Sequence, residues 1–382
     1  MIRAGAVRWS AWWTVAVVGA LLLPLGGWRP ALATAVIIAL ALGGWTFGRR
    51  HPRAIRGLTA SAKSLAALVP PSARISNRGV QAVVILALLA APLTLNNYVL
   101  DVLTLAWLYV VLALGLQTTV GLAGLLDLGY ASFYALGAYS YAIASTRLGV
   151  SFWVGLPLGA LASAACGLLL GMITLRLRGD YLAIVTLGFI QIVHLVLVNW
   201  DSVTNGPNGI LNVGRPQIGP ITLTSPPQFY YVTLAVALLA IVVNTRLRAS
   251  RIGRALMAIR DDELAAEAVG VPTTRLKVLA FALGASWAGV AGVCFAARYA
   301  FVSPESFTFF ESVVILAMVV LGGMSSVMGV AAGAVIIVVL PELLRGVDDF
   351  RMLAFGAALV AMMAWRPEGL GRRAPMGRAR GA

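Results

Sequence analysis

Residues able to do chemistry are scarce among the 382 of this chain, and the densest group is Asp261, Asp262 and Glu263, three consecutive acids. They sit inside T-R-L-R-A-S-R-I-G-R-A-L-M-A-I-R-D-D-E-L-A-A-E-A-V-G-V-P-T-T-R-L-K, residues 245–277, with Arg246, Arg248, Arg251, Arg254, Arg260, Arg275 and Lys277 around them. Such a mixture can form ion pairs with a partner, but it holds no nucleophile beside a base. His51 and His194 are too few and too scattered for a metal or catalytic site, and no Gly-rich loop ending in Gly-Lys-Ser/Thr is present to cradle phosphates. Cys166 and Cys294 both lie in apolar runs and read as small buried thiols. The chain is therefore expected to be no enzyme, with no metal and no cofactor of its own. Four other ionisable groups, Asp101, Asp127, His194 and Glu311, fall in or beside apolar stretches, where such groups serve as pathway or coupling sites. Asp127, flanked by Leu125, Leu126 and Leu128, reads either as a pathway group or as an interfacial or helix-capping residue. His194, with Gln191 one turn earlier, either faces a path or cross-links helices.

The elements that must position these groups are set by composition. With 60% hydrophobic and only 11% charged residues, against roughly 25% charged in a soluble domain, the chain reads as an all-α polytopic membrane protein. A span needs about 20 apolar residues. Candidates fall at 11–26, 31–47, 79–95, 98–118, 127–146, 152–175, 182–200, 228–244, 278–298, 308–325, 327–344 and 350–365. The first has a basic start but is followed by Trp28, Arg29 and Pro30 where a cleavage site would need small residues, so it reads as a retained anchor. Gly and Pro interrupt the runs at 119–129 and 320–333, which predicts broken or re-entrant helices.

A net charge of +15 would suit nucleic acid, but the sequence has no zinc-ligand cluster or compact soluble region to hold a recognition element. It reads instead as topology. Arg49, Arg50, Arg53, Arg56, Lys63, Arg74 and Arg78 fill 48–78 without an acid, and 245–277 is similarly basic, so both are expected on the cytoplasmic side. Arg3 and Arg8 at one end and Arg366, Arg372, Arg373, Arg378 and Arg380 at the other place both termini there too. The 201–227 loop, with Arg215 as its single base, and the 299–309 segment are then outside.

Inside the charged segment, Ile252, Leu256 and Ile259 and then Leu264, Ala268 and Val271 each follow helical spacing. Two short helices are predicted, joined near Asp261 and Asp262, with the acids favouring the second helix's start and Gly270 and Pro272 stopping it. An acidic first turn suits an anionic lipid surface poorly, whereas Ala265, Ala266 and Ala268 allow close docking into a protein groove. Gly121, Gly124, Gly129 and Gly137 lie with Ser132 and several tyrosines in 121–142, and Gly322, Gly323, Ser325, Ser326, Gly329 and Gly333 repeat that character at 319–334. Helix packing explains much of both; two Gly-broken regions in opposite halves are also what an inverted internal repeat with a midplane path would show.

Specific strings then carry a resemblance: G-L-A-G-L-L-D-L-G-Y-A-S-F-Y-A-L-G-A-Y from 121, L-R-L-R-G-D-Y-L-A-I-V-T-L-G-F at 175–189, T-N-G-P-N-G at 204–209, G-R-A-L-M-A-I-R-D-D-E-L-A-A-E-A-V-G at 253–270, F-V-S-P-E-S-F-T-F-F-E-S at 301–312, V-L-G-G-M at 320–324 and W-R-P-E-G-L at 365–370. Over roughly residues 80 to 370 the chain resembles the LivM-type permeases of high-affinity branched-chain amino acid ABC transporters. Residues 1–78 resemble the additional two-helix segment and basic linker of some members, 79–370 the permease core, and 371–382 a basic tail. The resemblance implies a bacterial inner-membrane importer of leucine, isoleucine and valine, built with a homologous second permease, two cytoplasmic ATPases that bind ATP and Mg, and a periplasmic binding protein. Relatives that import urea or other amino acids share the architecture; a gradient-driven carrier is the reading from another class.

It further implies that 253–270 is the ATPase-coupling segment, with Gly253, Arg260, Asp261, Glu263, Ala266, Glu267 and Gly270 as its working residues. Gly124, Asp127, Gly129, Tyr130, Tyr134, Gly322, Gly323 and Ser325 are the expected translocation path. Asn205, Gly206, Asn208, Ser303 and Glu305, near Arg298 and Tyr299, are expected to dock the binding protein or gate the path. Asn205 stands where the family more often has glycine, and asparagine tolerates the left-handed backbone such a turn needs.

Overall fold

In this computed structural model the described residues are 95–174, 180–218 and 221–343, with Leu88, Leu89, Pro92 and Gly356 besides. The chain forms two compact units, Met1–Leu86 and Ala87–Ala382, and these residues belong to the second. The expected segment 1–78 with its spans at 11–26 and 31–47, the tail 371–382 and both termini lie outside the described residues, as do the spans at 79–95 and 350–365 apart from Leu88, Leu89, Pro92, Leu95 and Gly356.

The described core is helical. Helix α1 is Asn97–Leu116, prolonged by a π-helical turn Gln117–Leu122; α2 is Tyr130–Leu148, α3 Phe152–Thr174, α4 Asp180–Asn199 and α5 Pro226–Ala249. Two short helices follow, α6 at Arg251–Asp261 and α7 at Glu263–Ala268, and then α8 at Thr273–Tyr299, α9 at Phe309–Gly322 and α10 at Val327–Leu343. Among the described residues six helical segments are long and apolar enough to cross a membrane: Asn97–Leu122, Phe152–Thr174, Tyr181–Asn199, Pro226–Ala249, Thr273–Tyr299 and Pro304–Gly322. Four two-residue strands complete the set, β1 at Ile210–Leu211, β2 at Gln217–Ile218, β3 at Ile221–Thr222 and β4 at Phe301–Val302. They pair antiparallel as β1 with β4, Ile210 opposite Val302, and β2 with β3.

Helix ends follow local chemistry. Ser225 and Pro226 open α5, where the Ser225 N–H donates to Gln228 Oε1 at 3.4 Å. Ser250 Oγ accepts from the Gly253 N–H at 3.1 Å and starts α6; Asp262 Oδ1 accepts from the Ala265 N–H at 3.0 Å and starts α7.

The centre of the core is α8, which runs along α3, α2 and α1. Lipid is as apolar as a side chain, so helices in it associate through close van der Waals packing, for which small residues are suited. On α3, Gly155, Gly159, Ser163, Gly167 and Gly171 recur every fourth position and are all buried. A methyl group on Gly289 of α8 would lie 2.8 Å from the Gly159 carbonyl carbon and 2.6 Å from Ser163 Oγ, and one on Gly137 of α2 would lie 2.7 Å from the Gly289 carbonyl carbon. Backbones of α2, α3 and α8 are thus in direct contact, and Ser163 Oγ ties the seam further by donating to the Phe133 carbonyl at 2.8 Å. Aromatic edges fill the space beyond it: Tyr134 meets Phe307 and Phe295 at centroid distances of 4.9 and 5.5 Å.

Because α5 and α8 each run the length of the core, the α6–α7 pair lies at one end of them and the β1, β4 and 201–209 segments at the other. At that second end Arg298 pairs with Asp101 and lies over the Phe229 ring at 5.8 Å.

Candidate functional site

Two breaks interrupt the core, and they meet. The first is the π turn and the non-helical stretch 124–129, all six residues of the turn being buried. Widening the helix displaces its ladder: Leu125 donates to the Thr119 carbonyl at 3.1 Å, and Gly124 takes a left-handed φ of 71° as the chain leaves. The second lies between α9 and α10, where Gly323 has φ 89° and the Ser326 N–H donates back to its carbonyl at 2.9 Å. Gln117 Nε2 of the first break donates to the Met324 carbonyl of the second at 3.1 Å, and a methyl group on Gly121 would lie 2.6 Å from that same oxygen. Two breaks from opposite halves of the described core, packed on each other, form a repeat-like arrangement.

Polar groups sit in and around the first break. Asp127 is fully buried; its Oδ1 accepts from the Gly129 N–H at 2.9 Å, while Oδ2 has no hydrogen-bond partner. Gln117 Oε1 is likewise buried without one. Thr186 of α4 donates its hydroxyl hydrogen to Ala183 and accepts from the Leu128 N–H at 3.0 Å, and its carbonyl abuts Gly129 so closely that no side chain fits there. Ser312 accepts from the Ala131 N–H at 2.9 Å, and Thr118 donates to Asn244 Oδ1 at 3.1 Å.

Of the expected path residues, Gly124, Asp127, Gly129, Gly322, Gly323 and Ser325 therefore sit at the breaks. Tyr130 and Tyr134 are wholly committed to the core: the Tyr130 hydroxyl donates to the Gly284 carbonyl at 3.0 Å, and Tyr134 is enclosed by phenylalanines. Gln117, Thr118 and Thr186 were not singled out from sequence. A glutamine in the middle of an apolar run was the available signal for the first; Thr186 had none, since threonine commonly bonds its own helix's carbonyls.

The acid-rich segment forms the α6–α7 pair, and its residues divide into two sets. Gly253 and Ala266 are buried within the chain, Arg260 Nη1 donates to the Gly121 carbonyl at 2.6 Å, and Glu263 pairs with Lys277 at 2.5 Å. These four face inward. Asp261, Glu267 and Gly270 are exposed, beside Leu264 at 65% and Val269 at 80% exposure. Gly270 has φ 84°, the left-handed turn that separates α7 from α8.

At the opposite end, Asn205, Gly206 and Asn208 fold against the segment carrying Ser303 and Glu305. Asn205 does adopt a left-handed φ of 63°, and its Nδ2 donates to the Gly209 carbonyl at 2.8 Å. A methyl group on Gly209 would lie 3.0 Å from Ser303 Cα, so the two loops touch through backbone. Asn205, Asn208 and Glu305 are exposed and Gly206 is buried. Among the described residues no group of three or more His, Cys, Asp or Glu residues is placed to hold a metal.

The sequence that forms this arrangement of apolar spans, broken helices and charged helix pair matches a known family. Residues 98–363 match the family described as branched-chain amino acid transport system / permease component. The chain belongs to that family. It is 44% identical over 304 residues to the high-affinity branched-chain amino acid transport system permease protein LivM of Salmonella typhimurium, covering 74% of this chain and 72% of that one. It is 26% identical over 287 residues to LivH of the same organism, covering 70% and 92% respectively. The autoinducer 2 import system permease protein LsrC of an Enterobacter strain is 28% identical over 264 residues, covering 65% and 74%. No solved structure matches the chain. The permease breaks its helices where polar backbone and side chains are enclosed by protein, as a spanning helix requires if it is not to expose unpaired backbone to lipid.

Proposed function

We propose that this permease is the LivM-type subunit of an ATP-driven importer of leucine, isoleucine and valine. It forms half of a path whose other half is a homologous second permease, and it works with two cytoplasmic ABC ATPases and a periplasmic binding protein in a bacterial inner membrane. Both termini and the α6–α7 pair face the cytoplasm, as the distribution of Lys and Arg favours. The single observation that carries the reading is the α6–α7 pair: it stands outside the apolar core and exposes Leu264 and Val269 beside Asp261 and Glu267. Apolar residues so exposed at a charged end suit a protein groove with basic residues at its rim.

In this reading the chain performs no covalent chemistry. ATP and Mg are held by the ATPases, whose motion is passed to the breaks at 117–129 and 322–326. Asp127 Oδ2 and Gln117 Oε1, both buried and without partners, are the acceptors available to an amino acid's ammonium group when the junction opens. The outer loops at 205–208 and 303–305 receive the binding protein, which selects the substrate. The substrate class rests on the names of the relatives, and urea or another amino acid is the alternative cargo.

The test is ATP-dependent uptake of radiolabelled leucine, with urea in parallel, into proteoliposomes holding the purified complex and each binding protein. Leucine uptake without urea uptake is the expected result. Urea uptake alone would move the chain to the alternative cargo, and uptake without ATPases would refute the ATP-driven reading.

A further inference from the structure

We propose that Arg260 is the positioning residue through which movement of the α6–α7 pair reaches the helix breaks, an inference that rests on the coupling role given to that pair above. Arg260 lies in the last turn of α6, and its guanidinium reaches across to the Gly121 carbonyl at 2.6 Å. That carbonyl belongs to the final turn before the chain unwinds at 124–129, so it is one of the acceptors that a helix end leaves without an internal donor. Charge favours the contact as well, since the C-terminal end of a helix carries partial negative charge.

The stem of Arg260 is held as firmly as its head. Gly124 turns the departing chain over it with φ 71°, so that a methyl group there would lie 2.8 Å from Arg260 Cγ and 3.3 Å from its Cα. Gly121, whose carbonyl Arg260 holds, is in turn packed on the Met324 carbonyl that Gln117 Nε2 also contacts. One side chain of the helix pair thereby grips the first break, and the first break rests on the second. The Glu263–Lys277 pair joins α7 to α8, an unbroken helix, and so anchors the pair there. A cavity of about 270 Å³, bordered by Gly124, Leu125, Leu126, Leu182 and Ile259, leaves the unwound segment room to shift when Arg260 moves.

A residue that merely caps α1 would stabilise the fold equally in every state of the cycle. Its loss would lower stability and leave the uptake obtained per ATP unchanged. A transmitting residue, when lost, lowers that ratio. The experiment reconstitutes the full complex with its binding protein and reads radiolabelled leucine uptake and phosphate release from the same vesicles, for wild type, Arg260→Gln and Arg260→Lys. Losing one charge-assisted hydrogen bond is expected to lower uptake per ATP on the order of tenfold in Arg260→Gln. Arg260→Lys keeps the charge and the apolar stem against Gly124, so it assembles even if Arg260→Gln does not, and it is expected to recover part of the ratio. Assembled variants with the wild-type ratio would overturn the proposal. A wild-type complex that hydrolyses ATP without moving leucine or urea, or from which the ATPases dissociate, would instead remove the coupling reading itself and Arg260's role with it.

Discussion

Adding one methyl group at Gly289 tests what holds this core together. The new Cβ would stand 2.8 Å from the Gly159 carbonyl carbon and 2.6 Å from Ser163 Oγ, and both neighbours lie on one face of α3. Ordinary carbon contacts begin near 3.5 Å and the Gly159 carbonyl oxygen lies nearer still, so α3 and α8 must separate by at least about 0.7 Å. Neither neighbour can swing aside, because one is backbone and the other is held by its hydrogen bond to the Phe133 carbonyl at 2.8 Å. Overpacking of this kind costs about 2 kcal/mol. At roughly 3 °C per kcal/mol for a core of this size, Gly289→Ala should lower the melting temperature of the solubilised permease by about 6 °C.

Gly188→Ala is the matched control, since it too lies within a helix but a methyl group there meets no atom within 4 Å. The added methyl removes backbone freedom from the unfolded chain and should be neutral or stabilising by about 0.5 kcal/mol. Thermal unfolding of both, followed by fluorescence-detected size exclusion in one detergent, gives the comparison. Equal melting temperatures for the two variants would refute the reasoning that backbone contact along the α2, α3 and α8 seam supplies the packing energy.

The Glu263–Lys277 pair should show coupling in a double-mutant cycle. Lys277 is 7% and Glu263 23% exposed at the side chain, so Glu263→Gln strands a buried ammonium at a cost of about 2 kcal/mol, much of which Lys277→Gln in the same chain returns. Stability changes that add to within about 0.4 kcal/mol would show the pair to be inert. At Asp127, substitution by Asn keeps the acceptor for the Gly129 N–H while removing the charge. Leucine uptake should fall more than tenfold, on the order of the loss of one charge-assisted contact, with assembly unchanged; uptake within about twofold of wild type would leave Asp127 a helix cap. Glu267→Lys on the exposed side of α7 should reduce co-purification of the ATPases and leave the melting temperature of the isolated permease within about 1 °C, since exposed substitutions rarely change stability much. A fall in melting temperature together with intact co-purification would place Glu267 in the fold and not at the contact.

Much of the site's outline was legible before any coordinates. The two short helices could be read from the spacing of Ile252, Leu256 and Ile259 and from Asp262 ahead of Glu263, because a cap and a helical period are local properties of the chain. The same holds for Asn205, whose left-handed turn needs only its own backbone and the Gly209 carbonyl. The fourfold period of Gly155, Gly159, Ser163, Gly167 and Gly171 was equally present in the sequence as a packing stripe and went unread, hidden within a run whose hydropathy already declared it a span.

Sequence by itself thus determined the class of the protein, the helices among the described residues, the two glycine-rich breaks and the charged pair outside the apolar core, since each depends on composition or on neighbours within a few residues. Only the tertiary structure decided which way the charged residues turn. Arg260 and Glu263 face inward to Gly121 and Lys277, whereas Asp261 and Glu267, a few positions away on the same helices, remain exposed. Nor does any local rule foretell that Gln117 meets Met324 or that Tyr130 is spent on Gly284. These contacts join residues more than 150 positions apart, and a side chain's partner at such separations is fixed by how whole helices pack, which backbone contact at a few glycines controls.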